Sequence, residues 1–127
     1  MADNTISPGL RHFIADNIQS VEHLEILCLL AEEPSRSWSV ADVYRRILST
    51  EKSVADGLQY FCAHGLLAAE TAGEFRFTPK TSDLNLMTQE LVKSYRERRV
   101  AVIESIYKKS GDSVQHFAEA FRLRREK

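Results

Sequence analysis

The sequence predicts a mostly α-helical domain that carries one small β-hairpin. Three observations support this fold class: apolar residues recur at helical spacing along most of the chain, a glycine ends the second of two closely spaced helices, and residues 75–78 then alternate with a period of two. With 127 residues, of which 43% are hydrophobic and 28% charged, the chain has the length and composition of one ordinary globular domain.

A helix is predicted near the start of the chain. Ser7 and Pro8 make a favourable helix start, because proline at the first helical position loses no hydrogen bond. Its apolar positions are Leu10, Phe13, Ile14 and Ile18. This helix is expected either to cover the core of its own domain or to take part in a dimer.

The next helix is expected to lie at the centre of the domain. Ser20 is suited to cap it, and residues 21–33 are apolar nearly all round, as in a helix with several neighbours. His23, in its first turn, is interpreted as a solvent-facing or helix-end residue. Cys28 and Cys62 lie on apolar helix faces far apart in sequence, which is typical of buried thiols in a reducing cytoplasm.

Two closely spaced helices follow. Ser39 and Asp42 form a capping-box pattern at the start of the first helix, and Ser49 and Thr50 are both placed to cap the second. The first apolar stripe consists of Val40, Val43, Tyr44, Ile47 and Leu48, and the second of Val54, Ala55, Leu58, Phe61 and Cys62. Gly57 interrupts the second helix and indicates a close approach by another helix or a partner. Gly65 fits the left-handed position that ends a helix.

The order of this helix pair and the hairpin resembles the winged helix-turn-helix family. The stretch HGLLAAETAGEFRFTP, residues 64–79, is similar to the end of the recognition helix, strand, wing and strand of MarR-like and PadR-like bacterial regulators. The resemblance covers most of the chain. It implies an N-terminal helical arm over residues 1–19, a winged helix-turn-helix domain over residues 20–80 and a long C-terminal helical dimerisation extension over residues 81–127.

The resemblance also gives expectations for the connector before the helix pair. Residues 35–38 are expected to carry a short strand that joins the two strands of the wing. Trp38, the only tryptophan of the chain, is interpreted as a partly buried plug beside the wing, or otherwise as an exposed residue that contacts a partner.

By this resemblance, the chain is expected to be a cytoplasmic transcriptional regulator, a homodimer that binds duplex DNA. Residues 50–64 correspond to the recognition helix, and the residues expected nearest the bases are Lys52, Ser53 and Gln59. The residues expected to contact phosphates are Arg45, Arg46, Arg76 and Lys80.

A long helix is predicted to start at Ser82 and Asp83 and to stop at Gly111, with about 27 residues from Leu84 onwards and therefore a length of roughly 40 Å. In MarR-like and PadR-like proteins this helix packs against its copy in a two-fold dimer, and the resemblance implies the same here. A last helix is predicted after Gly111, with an apolar stripe of Val114, Phe117, Ala118 and Phe121. The residues expected at the dimer interface are Leu91, Tyr95, Val102, Ile103, Ile106, Phe117 and Phe121.

The charge distribution favours a second function class. Residues 1–92 hold 7 Lys and Arg against 13 Asp and Glu, a net charge of −6, whereas residues 93–127 hold 10 against 5, a net charge of +5. Proteins that neutralise phosphates are normally basic at the element that binds DNA. The alternative hypothesis is therefore a winged helix that acts as a protein–protein interaction module, a regulatory adaptor whose acidic N-terminal part contacts a protein partner.

The sequence contains no recognisable catalytic or metal-binding motif. His12, His23, His64 and His116 match no zinc spacing, and no glycine-rich phosphate loop follows a strand. The chain has neither a signal-peptide pattern nor an apolar run long enough to span a membrane. It is expected to have no enzymatic activity, no cofactor and no membrane association.

Overall fold

A computed structural model describes residues 6–107, which form helices and one small antiparallel sheet. The helices are α1 (Pro8–Asn17), α2 (Val21–Glu32), α3 (Val40–Tyr44), α4 (Glu51–Ala63), α5 (Ser82–Glu97) and α6, which is helical from residue 99 to residue 107. The strands are β1 (Trp38–Ser39), β2 (Leu67–Glu70) and β3 (Glu74–Phe77), with a single 3₁₀ turn at Thr71–Gly73. The prediction of a mostly helical fold with a small hairpin is confirmed.

Helices α1 to α5 each begin at a hydroxyl side chain that accepts a hydrogen bond from a backbone N–H of the first turn. These N-cap residues are Ser7, Ser20, Ser39, Thr50 and Thr81. The predicted capping box is complete, since the Asp42 carboxylate in turn accepts from the Ser39 backbone N–H at 3.0 Å. This hydrogen bond lowers the pKa of Asp42.

The three strands form a sheet in the order β1–β3–β2. Trp38 pairs with Phe75, and Leu67 pairs with Phe77, so that these four side chains point into the core and are buried. The expected short strand before the helix pair is therefore present. Trp38 is fully buried, more so than the partly buried plug predicted from the sequence.

Helix α2 lies at the centre of the domain, as the sequence predicts. Its fully buried residues are Leu24, Ile26, Leu27 and Leu30, and it contacts α4, α5 and β3. A Cβ atom on Gly57 would lie 2.9 Å from Ile26 Cδ1, so the close approach at this glycine is made by α2. Gly65 has a φ of +79°, which confirms the predicted left-handed end of α4.

The first helix of the pair is shorter than predicted, and this exposes two apolar side chains. Helix α3 ends at Tyr44, and the chain continues through tighter turns in which Arg46 N–H bonds to Val43 O and Ile47 N–H to Tyr44 O. These turns direct Ile47 into the core, whereas Leu48 is 103% and Tyr44 41% exposed. The prediction that Tyr44 and Leu48 belong to the buried stripe is wrong.

The predicted 40 Å C-terminal helix is divided into two. Helix α5 ends at Glu97, and Arg98 adopts a non-helical conformation with φ −134° and ψ 56°. Beyond this break, α6 packs its own apolar face on the domain. The buried residues of α6 are Ala101, Val102 and Ile106.

The burial of these side chains alters the expected dimer interface. Leu91, Val102 and Ile106 are buried in the core of the single chain, and Tyr95 and Ile103 are partly buried against it. The first three are therefore not available to contact a second copy. Phe117 and Phe121 lie outside the described residues. Within residues 6–107, no helix combines the length and the apolar character that a membrane span requires.

Candidate interaction surfaces

Helix α4 presents one polar face to solvent and one apolar face to the core. The exposed residues at helical spacing are Lys52, Asp56, Gln59 and Ala63, and the buried ones are Val54, Leu58 and Phe61. The exposed face is the part of α4 that a partner or a DNA groove would meet. The two charged residues of this face have opposite charges and form an ion pair, in which Lys52 Nζ lies 3.0 Å from Asp56 Oδ2.

Of the three side chains predicted to lie nearest the bases, one is held by α2. Ser53 Oγ donates to Glu22 Oε2 at 2.8 Å, and the same carboxylate accepts from Ser49 Oγ at 2.8 Å. Ser53 is therefore part of the contact between α4 and α2. Lys52 and Gln59 remain on the exposed face of α4.

Two of the four predicted phosphate contacts are paired with carboxylates of the same chain. Arg45 Nη1 lies 3.1 Å from Asp42 Oδ1. Arg76 Nε lies 3.3 Å from Glu70 Oε2, although its N–H is not aimed at that oxygen, and Arg76 Nη2 donates to Ser37 Oγ at 3.4 Å. Both guanidinium groups therefore balance acidic residues of the protein itself.

The other two predicted phosphate contacts are differently placed. Arg46 is exposed, and its guanidinium carbon lies 5.4 Å from the centre of the Trp38 ring. Lys80 is exposed at the end of the hairpin, where its aliphatic stem passes close to Gly65. Within residues 6–107, neither Arg46 nor Lys80 forms an ion pair.

The segment from α3 to the end of the hairpin has no net charge. Residues 40–80 contain five basic residues, Arg45, Arg46, Lys52, Arg76 and Lys80, and five acidic ones, Asp42, Glu51, Asp56, Glu70 and Glu74. Attraction to DNA depends on an excess of positive charge that releases counterions from the phosphates. This segment supplies no such excess.

The turn between α3 and α4 has a different character. The fully exposed Leu48 lies in it, and Tyr44, the last residue of α3, borders it beside Arg45 and Arg46. Residues 43–50 contain no carboxylate. The turn thus combines exposed apolar side chains with two guanidinium groups, and the sequence pattern did not indicate it because both apolar residues fitted a helical stripe.

A stack of rings joins α4 to α1 and α2. The Tyr60 ring lies between His23, with centroids 4.5 Å apart, and His64, with centroids 4.1 Å apart. His64 Nδ1 is 2.8 Å from Asn17 Oδ1. Burial, together with the negative charge of Asp16, raises the pKa of Tyr60. His23, in the first turn of α2, is therefore the helix-end residue that the sequence predicted as one of two alternatives, and its side chain is half-buried.

A cavity of about 250 Å³ lies between α2, α5 and the end of α3. It is lined by Glu25, Cys28, Leu29, Glu32, Arg46, Ile47 and Tyr95. Burial raises the pKa of Cys28 to about 12, so this thiol is not ionised at neutral pH and is a poor nucleophile. The described residues contain no group of three or more His, Cys, Asp and Glu side chains that could hold a metal ion.

Comparisons of the chain with protein-family models, with curated proteins and with solved structures give no match. No relative therefore indicates which surface is functional. The exposed face of α4 and the turn between α3 and α4 are the two candidates that the contacts and charges of residues 6–107 define.

Proposed function

We propose that the chain is a winged helix-turn-helix domain that acts as a protein–protein interaction module, a regulatory adaptor. The winged-helix assignment is supported by the element order, in which the pair α3–α4 is followed by the β2–β3 hairpin. The short strand β1, which adds to β3 at the outer edge, also fits this fold. In a winged helix-turn-helix fold, α4 has the position of the recognition helix and residues 71–74 form the tip of the wing.

The observation that carries the proposal is the neutral charge of residues 40–80. Three of their basic residues lie within 3.0–3.3 Å of carboxylates of the same chain. Each exposed pair contributes only about 0.2–1 kcal/mol, so DNA would not be excluded by the pairs themselves. The net charge is decisive, because opening these pairs towards phosphates leaves the carboxylates facing the same phosphates.

The turn between α3 and α4 supplies an anchor for a protein partner. A fully exposed leucine gains roughly 1.5–3 kcal/mol when it is buried, and Leu48 is available for such a contact. Tyrosine and arginine are enriched among the residues that dominate binding energy at interfaces, and Tyr44, Arg45 and Arg46 lie beside it. Two free thiols, Cys28 and Cys62, fit an adaptor in a reducing compartment such as the cytoplasm.

A second candidate is a DNA-binding transcriptional regulator that acts as a homodimer. It is favoured by the exposed side chains of Lys52 and Gln59 on α4 and by Arg46 and Lys80, which have no ion-pair partner among the described residues. In this function α4 enters the major groove, and the basic residues of the turn and the hairpin contact phosphates.

A DNA titration separates the two functions. The purified chain is titrated into a fluorescent duplex from its own promoter region and into a random duplex, at low salt and at about 150 mM salt. The proposal predicts weak binding without sequence preference, lost at the higher salt concentration. Tight binding to the promoter duplex alone, abolished by Lys52→Ala with Gln59→Ala, would instead establish the DNA-binding regulator.

The adaptor function has its own test, with a matched control. Proteins bound to the immobilised chain from an extract of its native cells are compared for the wild type, Leu48→Ser and Leu86→Ser. Leu86 lies on α5 and is 63% exposed, so its replacement removes a similar surface side chain at a different place. The proposal predicts a partner lost from Leu48→Ser only. Equal capture by all three chains would contradict a role for this turn.

A further inference from the structure

Two oppositely charged side chains line the cavity between α2, α5 and the end of α3 without being paired. They are Glu25 of α2 and Arg46 of the turn that follows α3. Within residues 6–107, these two side chains form neither an ion pair nor a hydrogen bond, with each other or with any third residue. The cavity thus presents one unpaired carboxylate and one unpaired guanidinium group to a molecule that enters it.

The other charges at this site already balance each other. Glu32 also lines the cavity, and its Oε2 accepts from Arg96 Nη2 at 3.1 Å. The two carboxylates and the two guanidinium groups therefore sum to zero. A ligand with a net charge would leave either Glu25 or Arg46 without a partner, and an unpaired charge in a partly buried site is unfavourable. A molecule that carries both an ammonium and a carboxylate group can pair with both residues.

The rest of the lining is less polar. Leu29 and Ile47 contribute aliphatic side chains, and Cys28 contributes a neutral thiol. Tyr95 Oη is shielded from solvent and has no hydrogen-bond partner among residues 6–107, although buried hydroxyl groups normally have one. The lining therefore matches a ligand that has polar groups at one end and a short apolar part at the other.

The volume of the cavity limits the ligand to a small molecule. The cavity measures about 250 Å³, which is below the roughly 300–1,000 Å³ of sites that hold drug-sized ligands. Since a water molecule takes up about 30 Å³ in the liquid, this volume corresponds to about eight waters. A single amino acid of modest size fits this space, whereas a peptide does not.

We propose that this cavity is a binding site for a free amino acid with a small apolar side chain. The ammonium group of the ligand donates to the Glu25 carboxylate, and the Arg46 guanidinium group donates to the carboxylate of the ligand, a pairing that suits the planar geometry of both groups. The side chain of the ligand lies against Leu29 and Ile47. The site does not depend on whether the turn between α3 and α4 contacts a protein or DNA.

Isothermal titration calorimetry of the purified chain tests the site with five amino acids: L-alanine, L-valine, L-leucine, L-isoleucine and L-methionine. At least one is expected to bind with a Kd of about 1 mM or lower. That amino acid is then compared with its amine and its carboxylic acid, which for leucine are 3-methylbutylamine and 4-methylpentanoate. Each analogue lacks one of the two charges and is expected to bind at least about tenfold more weakly. No binding by any of the five amino acids would overturn the site, and an analogue that binds as tightly as the amino acid would assign the cavity to a simple amine or a simple acid.

Two variants assign the two charges to their residues. Glu25→Gln and Arg46→Gln are each expected to weaken binding of the amino acid at least about tenfold. Glu25→Gln is expected to leave the affinity for the carboxylic acid analogue unchanged, and Arg46→Gln that for the amine. Glu104→Gln and Arg45→Gln are the matched controls, because each removes the same charge from an exposed residue outside the cavity. A loss of affinity in the controls as large as in the two variants would contradict the assignment.

Discussion

The contact of Glu22 with the turn between α3 and α4 gives a sharp test of how the interaction surface is held. Its carboxylate accepts from Ser49 Oγ and from Ser53 Oγ, both at 2.8 Å, and all three residues are half-buried. Hydrogen bonds to a charged group contribute about 1.5–3 kcal/mol each, and partial exposure places these two near the lower end. We therefore expect Glu22→Ala to lower the free energy of unfolding by about 2–3 kcal/mol.

The measurement is urea unfolding followed by tryptophan fluorescence, because the only tryptophan, Trp38, is fully buried and reports loss of the core. Glu22 also lies in the first turn of α2, where a negative charge favours the helix dipole by about 0.3–1 kcal/mol. Glu51→Ala, in the first turn of α4, measures this dipole effect by itself and is the matched control.

A double-mutant cycle isolates the side-chain contact. Glu22→Ala and Ser53→Ala are expected to be non-additive by about 1 kcal/mol, since each removes the same hydrogen bond. A Glu22→Ala change that costs no more than Glu51→Ala would contradict this role of Glu22, and so would additive effects of the changes at Glu22 and Ser53. In either case α2 does not determine the position of this turn.

Three further predictions concern single residues. Gly65→Ala is expected to destabilise the chain by about 1–2 kcal/mol, because φ is +79° there and a Cβ atom would lie 3.2 Å from Lys80 Cδ. Urea unfolding measures this loss of stability. Cys28 is 7% exposed and burial raises its pKa to about 12, so it is expected to react with a thiol reagent only when the chain unfolds. The half-buried Cys62 is expected to react earlier, and mass spectrometry of timed samples distinguishes the two thiols. The pKa of Asp42 is lower in the folded chain than in the unfolded one, so its charge stabilises the fold above pH of about 4 and this contribution is lost as pH falls further. The stability advantage of the wild type over Asp42→Asn is therefore expected to shrink in acid, and a pH-independent difference would contradict this.

The sequence predicted the elements that depend on local chemistry. The caps at Ser7, Ser20, Ser39 and Thr50 and the left-handed Gly65 each follow from a residue type and its immediate neighbours. Such signals are independent of the rest of the chain. The hairpin was predictable for the same reason, since its alternation of buried and exposed residues is a local pattern.

Long-range packing decided the features that the sequence did not predict. The periodicity of residues 82–110 suits one helix, but the helix breaks at Arg98, and Val102 and Ile106 beyond the break are buried in the core. Leu48 fits the helical stripe of residues 40–48 in the sequence, but the tighter turns after α3 direct Ile47 into the core and leave Leu48 exposed. The pairing of Arg76 with Glu70 and of Ser53 with Glu22 joins separate elements, so residue types alone could not show which side chains of the predicted site are engaged.

The break at Arg98 and the neutral charge of residues 40–80 lead to the same conclusion about DNA. A winged helix-turn-helix regulator gains affinity by placing two α4 helices in successive major grooves, which requires a dimer. Here three of the residues expected to form that dimer, Leu91, Val102 and Ile106, are buried within one chain. A single domain with no excess positive charge in residues 40–80 would have to bind one half-site, with only Lys52 and Gln59 nearest the bases.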